Sequence, residues 1–410
     1  MDHPDNFLAP AVWGNPHPYF ARLRSTQPVS WNSWWNGWVL TRYDDVDFIL
    51  KRSEKVSAAT VAPAMARATP EQLERRATTF RMLGSFLPLN DPPDHTRLRR
   101  LVNKAFTPAT VARLQPGIER RAKELLDAVE GRDQFEVISD FSHPLTLSVI
   151  SEMLGIPDED RTEVGTWGAQ IVPLVLEGRD NSGRREVAER VLQEMEQYFR
   201  KLLQVRRRGP RNDLVSALAQ AEDAGGLLTE DEIVSTCILL IFAGQETTTG
   251  LIANAVLALD EHPDQRERLV QQPELMPGAV EELLRYCGTA FAVTRMAKEP
   301  FRLREQEIAA GDKILLVLAA ANRDPERFPD PDRLDISRNA TGHLAFAGGV
   351  HYCLGGPLAR VEARIGLNQL LARYPHLSPA PQRLTWSDVI IAREPASLVV
   401  DLSGAGRGVA

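Results

Sequence analysis

The sequence predicts a mainly α fold with minor β, built as one large domain over residues 1–410. Three observations carry this. From Pro93 onward, apolar residues recur at spacings of three and four, as in ARLQPGIERRAKELLDAV (Ala112–Val129) and REVAERVLQEMEQYFRKLLQVRR (Arg185–Arg207). The β-like runs are short and lie near the start, as in WNGWVLTRY (Trp35–Tyr43). Neither a low-complexity linker nor an internal repeat divides the chain.

The elements follow in order. Asp91–Pro92–Pro93 reads as the entry to a helix. The basic run Arg206–Asp213 reads as a helix end and loop, with Gly209–Pro210 as the breaker. Thr229–Glu232 (TEDE) is a capping box: the threonine hydroxyl caps a backbone N–H and the glutamate reaches back. It opens the longest helix, which runs to His262–Pro263. The middle of this helix is apolar nearly all round, so it should cross the interior. It is interrupted by Gly244-Gln245-Glu246-Thr247-Thr248, a polar insert that is costly to bury unless it is satisfied or used. A last long helix, LGGPLARVEARIGLNQLL (Leu354–Leu371), follows Cys353.

Composition narrows the function. The formal net charge of −7 argues against a general nucleic-acid binder. The three cysteines, Cys237, Cys287 and Cys353, are far apart and form no C-x-x-C pair. Neither a disulfide framework nor a structural zinc site fits them, and a reducing compartment does. The first twenty residues have neither a basic start nor a long apolar run. The expectation is a cytoplasmic protein without a membrane anchor.

Cys353 is set apart by its neighbours. Gly348, Gly349, Gly355 and Gly356 flank it and let the backbone approach a bulky object. It stands just before a helix N-terminus, which favours the thiolate. A thiolate on such a loop, without zinc partners, points to a haem iron ligand.

The stretch from Phe346 to Gly355 (FAGGVHYCLG) resembles the haem loop of cytochrome P450 monooxygenases, F-G-x-G-x-H-x-C-x-G. Phe346, Gly349, His351, Cys353 and Gly355 match. Ala347 departs where the family usually has Gly, and its methyl should restrict the loop. Glu282 and Arg285, one turn apart in AVEELLRY, resemble the family's buried E-x-x-R pair. The segment Ala321–Arg338 resembles the lead into the haem loop, and its Arg333 would complete that network. AGQETTT (Ala243–Thr249) resembles the oxygen-activating segment of the family's central helix. Ala243 and Thr247 share a face of that helix, and the Thr247 hydroxyl can bond back to residue 243 and bend it. Glu246 offers a carboxylate for proton supply. Gln245 stands where many bacterial relatives have His, and no catalytic role is read into it.

The resemblance covers essentially the whole chain. It implies the cytochrome P450 fold, a single large helical domain with a long central helix over haem b, and it implies that Cys353 ligates the iron. His95, Arg99, Arg295 and His351 would hold the haem propionates, and Ala243, Phe346 and Gly355 would line the haem. Glu246 and Thr247 would be the catalytic pair. Phe86, Leu87, Leu89, Ala243, Ala290, Phe291, Val293 and Ile390 would form the substrate pocket, although core packing explains the apolar ones equally well. Residues 167–184 would form a lid. Arg97, Arg100, Lys104 and Arg360 would dock an acidic ferredoxin, fed by a ferredoxin reductase and NAD(P)H.

The implied activity is use of O2 to oxidise a small organic substrate, such as a natural-product intermediate, free or tethered to a carrier protein. Oxidative coupling or desaturation is the alternative that these motifs leave open. A non-catalytic haem sensor is a third, against which the Glu246–Thr247 pair argues. Neither nucleic acid nor a membrane is expected as a partner.

Overall fold

Helices form where the three-and-four spacing predicts them, and the strands stay short. The computed structural model describes residues 3, 5–175, 182–223 and 226–402. The helices that bear on the site are, in chain order, α1 (His17–Thr26), α2 (Tyr43–Leu50), α3 (Asp94–Ala105), α4 (His143–Leu154), α5 (Ser182–Arg208), α6 (Glu230–Glu261), α7 (Met276–Cys287) and α8 (Gly356–Arg373). The chain forms two compact units. One comprises Met1–Lys55, Gln115–Thr146 and Thr247–Ala410, the other Val56–Leu114 and Leu147–Glu246.

The first unit holds β1 (Val29–Asn32), β2 (Gly37–Leu40), β3 (Val293–Ala297) and β4 (Lys313–Leu316), hydrogen-bonded in the order β1-β2-β4-β3. β4 runs parallel to β2 and antiparallel to β3, with Leu315 opposite Val39 and Thr294. Val39 and Leu315 present one sheet face to an apolar core that includes Phe7, Trp13, Phe20, Phe291 and Ile390. α8 lies close to α6 in this unit: a Cβ on Gly366 would come within 3.3 Å of Ile252.

In the second unit, the start of α6 is fixed twice. The capping box forms as its sequence predicts, with Glu232 N–H donating to Thr229 Oγ1 at 3.2 Å and Thr229 N–H donating to Glu232 Oε2 at 2.8 Å. Arg200 of α5 then ties Glu196, at 2.8 Å, to Glu230 on the first turn of α6, at 2.7 Å. Acidic residues on a first turn also complement the helix dipole. By length and composition α6 could cross a membrane, but 78% of its most apolar window is buried inside the fold, as in a core helix.

Candidate active site

The loop before α8 is built around two left-handed backbone positions. Gly349 has φ +62°, and a Cβ there would sit 2.2 Å from the carbonyl oxygen of Leu50 at the end of α2. Only glycine fits that approach. Ala347, the departure from the family pattern, has φ 54°, so its methyl is carried in a conformation that costs about 1–2 kcal/mol. The loop closes when Cys353 N–H donates to Phe346 O at 3.0 Å. Cys353 is half-buried, three residues ahead of α8.

A second layer holds this loop. The Arg360 guanidinium lies over the Phe346 ring, 4.5 Å from its centroid, and donates to both oxygens of Glu281, at 2.6 and 3.0 Å. His343 reaches the same carboxylate at 3.2 Å. Burial pushes the Glu281 carboxyl up, but hydrogen bonds from His343 and Arg360 outweigh it and hold the group down at about 2. Arg360 is thus paired with Glu281, while part of its side chain remains exposed. Arg97 of α3 is likewise paired, with Glu232. Arg100 and Lys104 lie exposed on α3.

Glu282 and Arg285 of α7 are fully buried and pair through two bonds, Nε to Oε2 at 2.7 Å and Nη2 to Oε1 at 2.8 Å. Arg285 also donates to the carbonyls of Asn322 and Pro331, both at 2.9 Å. The guanidinium that reaches Glu282 from the following segment is that of Arg338, at 3.1 Å. Arg333 joins through its main-chain carbonyl only, 3.4 Å from Arg285 Nη2. Arg333 thus meets Arg285 through its backbone, and Arg338 supplies the guanidinium that meets Glu282.

α6 remains helical through its polar insert. Gly244 leaves room for Ile150 of α4: a Cβ would meet its Cδ1 at 3.1 Å. Gln245 is buried and Glu246 half-buried, while Thr247 stands exposed between long buried stretches. The Thr289 hydroxyl donates to the Thr247 carbonyl at 2.8 Å. Thr249 and Thr146 share a hydrogen bond at 2.9 Å. Burial pushes the Glu246 carboxyl up. Glu362 of α8, which the sequence reading did not single out, is 2% exposed and bonds the Thr248 hydroxyl. Burial, only partly offset by that hydroxyl, pushes its carboxyl up to about 8.

The remaining candidates are distributed as follows. α3 carries His95, buried, and Arg99, half-buried and four residues on. β3 carries Arg295, and the one-turn helix Gly349–His351 carries His351. Phe86, Leu87 and Leu89 lie just before α3, with Phe86 fully buried. The Phe291 ring packs on Trp13, 4.9 Å between centroids, and on Phe20, at 5.5 Å. Ile390 belongs to the same core, Ala290 bridges to Ala392, and Val293 opens β3. Trp167, at the start of the expected lid, stacks edge-on to Tyr198, 5.6 Å between centroids. Residues 176–181 of that segment lie outside the described residues.

The donor set fits haem. Among the described residues no group of three or more His, Cys, Asp or Glu could hold a metal by itself. A metal held by one thiolate brings its other ligands with it, as porphyrin iron does. A Cβ on Gly355 would meet Cys353 Sγ, at 4.0 Å, and nothing else, so the glycine leaves the sulfur's flank open.

Comparison with known proteins agrees with this geometry. The family model "Cytochrome P450" matches residues 172–398. The polyketide biosynthesis cytochrome P450 PksS of Bacillus subtilis is 37% identical over 95% of this chain and 96% of its own length. The mycinamicin IV hydroxylase/epoxidase of Micromonospora griseorubida is 38% identical over 93% and 94%. Among solved structures, P450BioI in complex with a hexadec-9Z-enoic acid ligated acyl carrier protein superposes with a TM-score of 0.88 at 36% identity, covering 96% of this chain and 99% of that one. The fold and the site define a haem-thiolate oxygenase. The chain belongs to the cytochrome P450 family, whose members are monooxygenases that carry haem b, use O2 and take electrons from redox partners.

Proposed function

We propose that this monooxygenase hydroxylates a small organic intermediate of natural-product biosynthesis, with Glu246 and Thr247 as its catalytic pair. Exposed Thr247, beside the half-buried Glu246 on α6, whose carboxyl burial pushes up, carries the reading. When bound, haem supplies the iron at which oxygen is activated, and a thiolate ligand pushes electron density toward it. Cys353 is that ligand, favoured as thiolate by the α8 N-terminus. His95, Arg99, Arg295 and His351 hold the propionates, and Ala243, Phe346 and Gly355 line the ring. Glu246 holds a proton that the Thr247 hydroxyl passes to the reacting oxygen. Thr289 fixes the Thr247 carbonyl and so keeps that hydroxyl in place. Phe86, Leu87, Leu89, Ala243, Ala290, Phe291, Val293 and Ile390 form an apolar pocket that excludes water. The two units act as one catalytic domain in the cytoplasm, supplied by a ferredoxin, its reductase and NAD(P)H.

Two substrate sources are open to test. The relative named for polyketide biosynthesis and the neighbour bound to an acyl carrier protein support a carrier-tethered substrate. The relative named for mycinamicin IV supports a free one. Soret titration of the haem-loaded protein separates them. One panel holds free polyketides, terpenoids and aromatic compounds, the other holds amino acids and acyl chains on carrier proteins. A saturable low-spin to high-spin shift with a free compound assigns a diffusible substrate. A shift with the tethered panel alone assigns carrier recognition. No shift with either would overturn both assignments.

A further inference from the structure

A cavity of about 440 Å³ lies within the first unit. It is lined by the start of α1, the last turns of α6, the end of α7, and the loops that carry Arg323, Trp386 and Arg393. The Cys353 loop contributes nothing to its wall. Its volume is in the range of small-molecule sites.

Three guanidinium groups line this wall, and one of them, Arg285, is held by Glu282. Arg323 is only 7% exposed, and it donates to Asp332 at 2.9 Å and to the Tyr286 carbonyl at 3.1 Å. Its Nε is buried with no hydrogen-bond partner among the described residues. Arg393 lies flat over the Trp386 ring, 3.4 Å from the centroid, and donates to the carbonyls of Trp13 and Gly14, at 3.2 and 2.8 Å. Among the described residues no carboxylate pairs with it. Burial first, and then the neighbouring charge of Arg323, push the Arg393 guanidinium down to about 10. His17, at the start of α1, is pushed well below its ordinary value by burial and then by Arg323, Arg393 and Arg24.

Two guanidinium groups that repel one another in a partly dry space, Arg323 and Arg393, are costly to keep without a compensating anion. The acidic side chains of the wall do not fill that role at depth. Asp332 is 68% exposed, and Glu261 is exposed at the end of α6. The acidic side chains of the wall thus sit nearer solvent than Arg323 does. The rest of the wall includes Leu257, Leu284 and Phe291, a surface for an apolar body.

We propose that this cavity binds a small organic carboxylate, with its charged group between Arg323 and Arg393 and its apolar part against Leu257, Leu284 and Trp386. Because Ala290 and Phe291 line the cavity, an occupant would press on the back of the segment that leads into β3.

Calorimetric titration of the haem-loaded full chain with benzoate, octanoate and inorganic phosphate tests this, with the Soret band followed in parallel. The expected result is saturable binding of benzoate or octanoate without a Soret change, and weaker binding of phosphate. Arg393→Gln should weaken the organic acid about tenfold or more, as loss of a charge-assisted hydrogen bond does. Arg323 also ties Asp332 to Tyr286 and its replacement can unfold the region, so Leu257→Trp is the second variant. It fills the apolar half and should abolish binding with both arginines intact. The proposal is overturned if neither acid binds saturably, if phosphate binds as tightly, if binding moves the Soret band, or if both variants bind as the parent does.

Discussion

Glu282 and Glu362 are both buried carboxyl groups, 0% and 2% exposed, and they have opposite fates. Glu282 meets two arginines and a backbone N–H. Glu362 meets a single hydroxyl, that of Thr248. A buried carboxylate met by two arginines in this way serves as scaffold. A carboxyl desolvated without a cation stays neutral near pH 7 and is able to hold or release a proton. Burial also pushes the Glu246 carboxyl of α6 up. The fold thus keeps a fully paired carboxylate on α7 apart from a carboxyl on α8 that burial pushes up.

The largest way to break this contrast is Arg285→Ala. It leaves Glu282 and two main-chain carbonyls without their principal donor, and should cost about 3–5 kcal/mol. The expected outcome is a protein that purifies without haem or fails to fold, read by Soret absorbance and denaturant unfolding. Next is the pH dependence that Glu362 imposes. Its folded value is raised above the unfolded value of 4.5, so its stabilising contribution is complete below about pH 4.5 and is lost as pH rises through about 8. Glu362→Gln should match the parent near pH 4.5 and exceed its stability by a few kcal/mol at pH 9, measured by urea unfolding across that range. Thr247→Ala comes third. It keeps the fold and haem but should lower product formed per electron consumed about five- to tenfold, the size of one lost hydrogen bond. The smallest effect sharpens the scaffold side: Ala347→Gly relieves the left-handed strain and should stabilise the protein by about 1 kcal/mol in thermal unfolding.

What was legible in the sequence was local. The capping box, the i,i+3 spacing of Glu282 and Arg285, and the glycines around Cys353 each announce themselves within ten residues. What was not legible joins distant segments. Glu281 meets His343 and Arg360 across 62 and 79 residues, and Arg338 meets Glu282 across 56. Glu362 reads in sequence as one acid among the polar positions of a helix, and only the packing of α8 beside α6 buries it. Thr289 meets the Thr247 carbonyl across 42 residues of chain. Arg333 was placed in the right turn, but a sequence does not say whether backbone or side chain faces inward.

The central claim is that the Glu246–Thr247 turn delivers protons for insertion of oxygen into a substrate. The most direct test is turnover under 18O2 with a compound found by the Soret titration. The account predicts a product that carries one atom of the label, formed in near-equal amount to the oxygen consumed, with that yield falling in Thr247→Ala. An unlabelled product that is two hydrogens poorer than the substrate, or coupled to a second molecule, would contradict it.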